Sequence, residues 1–130
     1  MIDILYECHK ELLNKQYFKL SEKLKKTNDI LKLEDHFGQH MYSISCVNNV
    51  CKPLPDIYLH AAKNINLDPT LCLAIEDSVH GATAAINAGM FCVGINTANI
   101  RDDLSKVANI VIDKYEEIEI NNFFKINKIL

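Results

Sequence analysis

Apolar positions along this chain fall into two rhythms. Between Lys10 and Leu33, the residues Leu13, Tyr17, Leu20, Leu24 and Leu31 recur at roughly helical spacing among lysines and glutamates. That pattern predicts one long or two short amphipathic helices. From Met41 onward, short β-branched or aromatic runs alternate with helical stretches. Residues 41–47, bounded by Gly38 and by Asn48-Asn49, read as a strand. Pro53 and Pro55 break the chain and open a helix over residues 56–65, with Ile57, Leu59, Ala61 and Ala62 as its apolar stripe; Asp68-Pro69 ends that segment. Residues 71–75 then read as a buried strand, 79–88 as an alanine-rich helix with Gly89 as its C′ residue, and 91–95 as another strand. A short polar helix over 101–106, a strand over 109–113 and a final helix from Tyr115 complete the pattern.

Strands alternating with helices predict an α/β architecture in which a parallel sheet is flanked by helices. The 130 residues suit one domain, 1–130, and no repeat, low-complexity stretch or linker divides them. Hydrophobic residues at 48% and charged residues at 24% are ordinary globular usage, and a formal charge of −3 gives no global attraction to nucleic acid or anionic membrane. The lysines at 23, 25 and 26 read as a solvated helix face, because no aromatic residue interleaves them. Five cysteines without a C-x-x-C pair, no long apolar window and no basic leader-like segment predict a reduced, cytoplasmic chain with no membrane span.

Chemistry concentrates at Glu76-Asp77-Ser78, where the strand of residues 71–75 runs into the alanine-rich helix. Ligands of open parallel sheets sit beyond the carboxyl ends of the strands, which is where this pair falls. Two readings stay open at this point. The three residues could cap the following helix, or the carboxylates could hold Mg²⁺, which takes one or two protein carboxylates and completes its shell with water and phosphate. Gly81 and Ala84-Ala85 favour an anion nearby, since small residues let the helix start approach closely with its amide donors. Lys52, in the stiffened loop before Pro53-Leu-Pro55-Asp56, supplies a compact positive charge suited to a phosphate. The five histidines show no zinc-ligand spacing.

Lys52-Pro-Leu-Pro-Asp-Ile-Tyr-Leu-His-Ala-Ala62 and Cys72-Leu-Ala-Ile-Glu-Asp-Ser-Val-His-Gly-Ala-Thr-Ala-Ala-Ile-Asn-Ala-Gly-Met90 together resemble the haloacid dehalogenase-like (HAD) superfamily. The nearest likeness is to its phosphatase and β-phosphoglucomutase branch, and it extends over about residues 20–118. The resemblance implies a Rossmann-like core and a Mg²⁺-dependent phosphate-monoester hydrolase. It implies that Asp77 ligates Mg²⁺, Glu76 ligates it or orients its waters, Ser78 supports that shell, and Lys52 neutralises the phosphoryl group. The superfamily's nucleophile lies in an Asp-x-Asp segment at the end of an N-terminal strand, and no Asp-x-Asp occurs in this sequence. The chain therefore resembles the C-terminal portion of such an enzyme: a partial parallel sheet without the N-terminal strand or the cap domain. The expected ligand is a small phosphorylated metabolite, with the missing half supplied elsewhere and no turnover by the isolated chain. The alternative expectation is a non-catalytic binding module that self-associates or pairs with a partner chain through an exposed sheet edge.

Overall fold

The computed structural model describes Ile4–Tyr6 and residues 30–117. The elements, in chain order, are β1 (Ile4–Tyr6), α1 (Glu34–Phe37), α2 (Asp56–Asn64), β2 (Leu73–Glu76), α3 (Val79–Asn87), β3 (Phe91–Ile95), α4 (Arg101–Leu104) and β4 (Ile110–Ile112). Single turns of 3₁₀ helix lie at Ile44–Val47, Pro69–Leu71 and Tyr115–Glu117. Most of the amphipathic helical region expected over residues 10–33, and the final helix beyond Glu117, lie outside the described residues.

Strands β2, β3 and β4 form the expected parallel sheet, in register Ala74 with Cys92, Glu76 with Gly94, and Gly94 with Val111. Among the described residues no strand N-terminal to β2 runs parallel to it. Instead, β1 runs antiparallel along the outer side of β2, pairing Ile4 with Ile75 and Tyr6 with Leu73. The edge of β2 that the sequence led us to expect open is therefore covered.

Alternation along the strands sorts the core into two faces. Cys72, Ala74 and Cys92 face α2 and α3, where they pack with Tyr58, Ala62, Ala82, Ala84 and Ala85 in one buried cluster. Leu73, Val93, Ile95 and Ile112 make a second cluster on the opposite face. Four alanines at positions 82, 84, 85 and 88 let α3 lie close against the strands, and three of them are completely buried. Gly94 serves the same end on β3: a Cβ there would stand 3.3 Å from the Ala108 Cβ and 3.5 Å from the Leu104 Cβ.

Helix ends follow local chemistry. Ser78 is the N-cap of α3, its hydroxyl accepting from the Gly81 N–H at 3.0 Å. At the other end Gly89 takes φ +86°, its N–H bonding Ile86 O while the Met90 N–H bonds Ala85 O. These are the two bonds of a Schellman cap, and the left-handed residue is the glycine the sequence placed at C′. Asp68 caps the turn at Pro69–Leu71 by accepting from the Thr70 N–H at 2.9 Å. That turn takes up Pro69 to Leu71, so the strand begins later and carries Glu76 as its last residue.

The strand expected over residues 41–47 is not one. Ile44–Val47 is a 3₁₀ turn, with Cys46 N–H bonded to Ser43 O at 2.8 Å and Asn49 N–H to Ile44 O at 2.8 Å. Asn48 and Asn49, at φ 54° and 60°, hold the left-handed conformation that short polar side chains tolerate, and they reverse the chain immediately after the turn. A short apolar run has no periodicity strong enough to separate strand from turn. In α2 the buried stripe is Ile57, Tyr58, Ala61 and Ala62, whereas Leu59, expected inside, is 42% exposed.

Candidate functional site

The carboxyl end of β2, the start of α3 and the first turn of α2 converge on Glu76. Its alternation with Ala74 points it to the helix-covered face, and it is only 2% exposed, the sole buried charged residue among those described. Charges this deep require partners. Lys52 Nζ and the Tyr58 hydroxyl both donate to Glu76 Oε1, making one part-buried ion pair and one buried charge-assisted hydrogen bond on the same oxygen. The Lys52 ammonium also lies 5.2 Å from the centre of the Tyr58 ring, within cation–π range. The second carboxylate oxygen, Oε2, faces the start of α3, where the Ser78 hydroxyl is 3.4 Å away.

Gly81 completes the cradle. A Cβ at this position would overlap the Glu76 carboxylate, so the helix can rest on the buried charge only because residue 81 has no side chain. Sequence reasoning took this glycine to let the helix start approach an anion with its amide donors, or simply to pack closely; the structure sets the Glu76 carboxylate against it, while the Gly81 N–H bonds the Ser78 hydroxyl.

Asp77, the next residue, lies just past the strand and is partly exposed, but its Oδ1 is buried and has no hydrogen-bond partner. A carboxylate oxygen in that state suits a cation. Mg²⁺ draws only one or two ligands from protein and the rest from water and phosphate, so the site fits it with Asp77 as the ligand. No group of three His, Cys, Asp or Glu able to enclose a metal occurs among the described residues.

Of the four residues singled out from sequence, Lys52 and Glu76 meet directly, Ser78 joins the start of α3 to Glu76, and Asp77, next in sequence to Glu76, bonds none of the other three through its side chain and has its own unfilled oxygen. The capping alternative holds for Ser78. Tyr58 was missed, although a signal existed: a tyrosine on the inner stripe of a helix buries its ring and needs a partner for its hydroxyl. The field of the cluster reaches β3. Burial, then the nearby Glu76 charge, push the Cys92 thiol up to about 12, with Lys52 opposing. Cys46, Cys51, Cys72 and Cys92 are all free thiols, and no helix among the described residues is long and apolar enough to cross a membrane.

Comparison with known proteins points to one family. A family model described as haloacid dehalogenase-like hydrolase matches residues 16–89. The chain is 50% identical over 44 residues to the beta-phosphoglucomutase of Bacillus subtilis (strain 168), covering 34% of this chain and 20% of that enzyme. It is 38% identical over 72 residues to the bifunctional riboflavin kinase/FMN phosphatase of Arabidopsis thaliana, covering 55% of this chain and 19% of that protein. Among solved structures, a HAD family hydrolase from Deinococcus radiodurans R1, with bound phosphate and sodium, superposes with a TM-score of 0.69 at 28% identity. That match covers 84% of this chain and 49% of the solved chain, so this chain spans about half the length of the neighbour it follows.

Proposed function

The chain belongs to the haloacid dehalogenase-like hydrolase family, and from that membership we propose that it is the lysine- and metal-bearing portion of a Mg²⁺-dependent phosphate-monoester hydrolase acting on a small phosphorylated metabolite. The observation that carries this reading is a Lys52–Glu76 ion pair on a buried carboxylate, followed directly in sequence by Asp77, whose buried Oδ1 has no hydrogen-bond partner. Both lie at the carboxyl end of a parallel strand, where such folds bind ligands.

The residues divide the work by charge. Asp77 would hold Mg²⁺ through its unfilled oxygen, and the bound ion would neutralise phosphoryl oxygens and orient them. Lys52 would offer a second positive charge to the phosphate. Glu76 fixes the Lys52 ammonium in place, so that little reorganisation is needed when the phosphate arrives. Ser78 ties the start of α3 to this arrangement. Phosphoryl transfer in this scheme depends on positioning and charge, but the covalent route also needs a carboxylate nucleophile, and the sequence has no Asp-x-Asp segment to provide it. The isolated chain therefore binds metal and phosphate without turnover, in a reduced cytoplasmic setting.

The test is a titration of the purified chain with Mg²⁺ and inorganic phosphate, followed by thermal unfolding. A ligand that binds only the folded state at about 100 times its Kd adds about 2.7 kcal/mol. Mg²⁺-dependent stabilisation that vanishes in Asp77→Asn is expected, alongside no hydrolysis of p-nitrophenyl phosphate. Mg²⁺-dependent hydrolysis by the pure chain, abolished in Asp77→Ala, would show that it needs no second half. Absence of any Mg²⁺ or phosphate effect would remove the proposal.

A further inference from the structure

We propose that Tyr58 is a positioning residue that sets the Lys52 ammonium for phosphate. For its consequence, though not for its contacts, this rests on the phosphate reading above. Two features of the structure carry it. The Tyr58 hydroxyl donates to Glu76 Oε1, the same oxygen that takes Lys52. The Tyr58 ring lies under the ammonium at 5.2 Å, so one side chain controls both the anion and the cation of the pair.

The arrangement has a physical logic. A lysine on a four-carbon stem is a mobile charge, and a single hydrogen bond to a carboxylate leaves both groups free to rotate about it. Glu76 is held at Oε2 by the Gly81 cradle and by Ser78, and at Oε1 by Tyr58. With the carboxylate fixed at both ends, the ammonium above it has one favoured direction, and the electron-rich ring face below it restricts the remaining freedom. Tyr58 itself is 2% exposed and sits on a helix packed against α3, so its hydroxyl is placed by the core rather than by solvent. Tyrosine rather than phenylalanine at this position is explained by the acceptor: without the hydroxyl a fully buried carboxylate oxygen would lose one of its donors.

The experiment uses the whole chain labelled with ¹⁵N-lysine. A held ammonium gives a side-chain proton–nitrogen resonance at low temperature, identified as Lys52 by its loss in Lys52→Arg. Tyr58→Phe keeps the ring and removes only the hydroxyl. Loss or broadening of the Lys52 resonance in a folded Tyr58→Phe protein is expected. Inorganic phosphate affinity in the presence of Mg²⁺ should also weaken about tenfold, the order for one hydrogen bond to a charged group. An unchanged Lys52 resonance together with unchanged phosphate affinity would overturn the proposal. If the unaltered chain binds no phosphate yet its Lys52 resonance still depends on Tyr58, the positioning contact stands and the phosphate reading falls. Should Tyr58→Phe not fold, the unaltered protein decides: a slowly exchanging Tyr58 hydroxyl proton close to the Lys52 side chain supports the contact, and its absence overturns it.

Discussion

Gly81 lies against the Glu76 carboxylate so closely that a single methyl group at residue 81 would occupy the space of the buried charge. The strand end and the helix start are thereby locked together through a contact that tolerates no side chain. Glu76 cannot retreat, because Tyr58 and Lys52 hold its other oxygen. Gly81→Ala should therefore destabilise the fold by about 1–3 kcal/mol, the range for overpacking a tight core, despite alanine's better helix propensity. Urea unfolding of the two proteins measures it. A Gly81→Ala chain as stable as the original would mean that the carboxylate moves freely and the cradle is not fixed.

The Lys52–Glu76 pair should behave as a unit. The Glu76 side chain is 1% exposed and that of Lys52 is 18% exposed, so Lys52→Met strips a buried carboxylate of its cation. Breaking a buried pair from one side costs about 3–5 kcal/mol, whereas removing both charges is often nearly neutral. Lys52→Met alone should be strongly destabilising, and adding Glu76→Gln should recover much of the loss. A double-mutant cycle measures the coupling. Simple additivity of the two single changes would show that the pair carries no mutual stabilisation.

Much of this site is legible in the sequence, and the part that is not has a physical reason. Apolar runs flanked by Gly89 and by Pro69 place β3 and the start of β2 to within a residue or two, because backbone restrictions at glycine and proline are local. The acidic pair and Lys52 are visible as charges at a strand end and in a proline loop. Which carboxylate does what is not visible, since it depends on strand phase: the turn at Pro69–Leu71 shifts β2 so that Glu76 falls inside the strand and points under α3. Tyr58 is hidden for the same reason. Its partner is 18 residues away, and only the packing of α2 on the sheet brings them together. The 3₁₀ turn at Ile44–Val47 shows the converse case, where a strand-like composition is overruled by two left-handed asparagines.

Thiol reactivity should follow burial and charge. Cys51 is exposed, Cys72 and Cys92 are buried, and the Cys92 thiol is pushed up to about 12 by burial and by Glu76. The thiolate is the reactive form, so both buried cysteines should resist alkylation at pH 8 while Cys51 reacts. Iodoacetamide labelling of the native chain, read by peptide mass spectrometry, should modify Cys51 and reach Cys72 and Cys92 only in denaturant. Labelling of Cys92 at the rate of Cys51 under native conditions would contradict the buried site.

Acid sensitivity should have a histidine component above the carboxylate range. Burial, and secondarily the nearby Lys63 charge, hold His60 below its ordinary value of 6.5. Its ring packs edge-on to Tyr42 at 5.2 Å, and its Nε2 is buried without a hydrogen-bond partner, so a proton there gains no acceptor. The unfolded chain thus takes up this proton at a higher pH than the folded one. The sign follows by linkage: stability from neutral His60 is complete above about pH 6.5 and declines as pH falls below it toward the lower folded value. Asp68, bonded by Thr70, and Asp113, bonded by Asn96 and Arg101, are also held low, and their contribution is lost only as pH falls below 3.8. His60→Phe keeps an aromatic ring against Tyr42 and cannot titrate. Thermal midpoints measured between pH 7.5 and 5 should fall more steeply for the original chain than for His60→Phe, and parallel curves would remove His60 from the acid response.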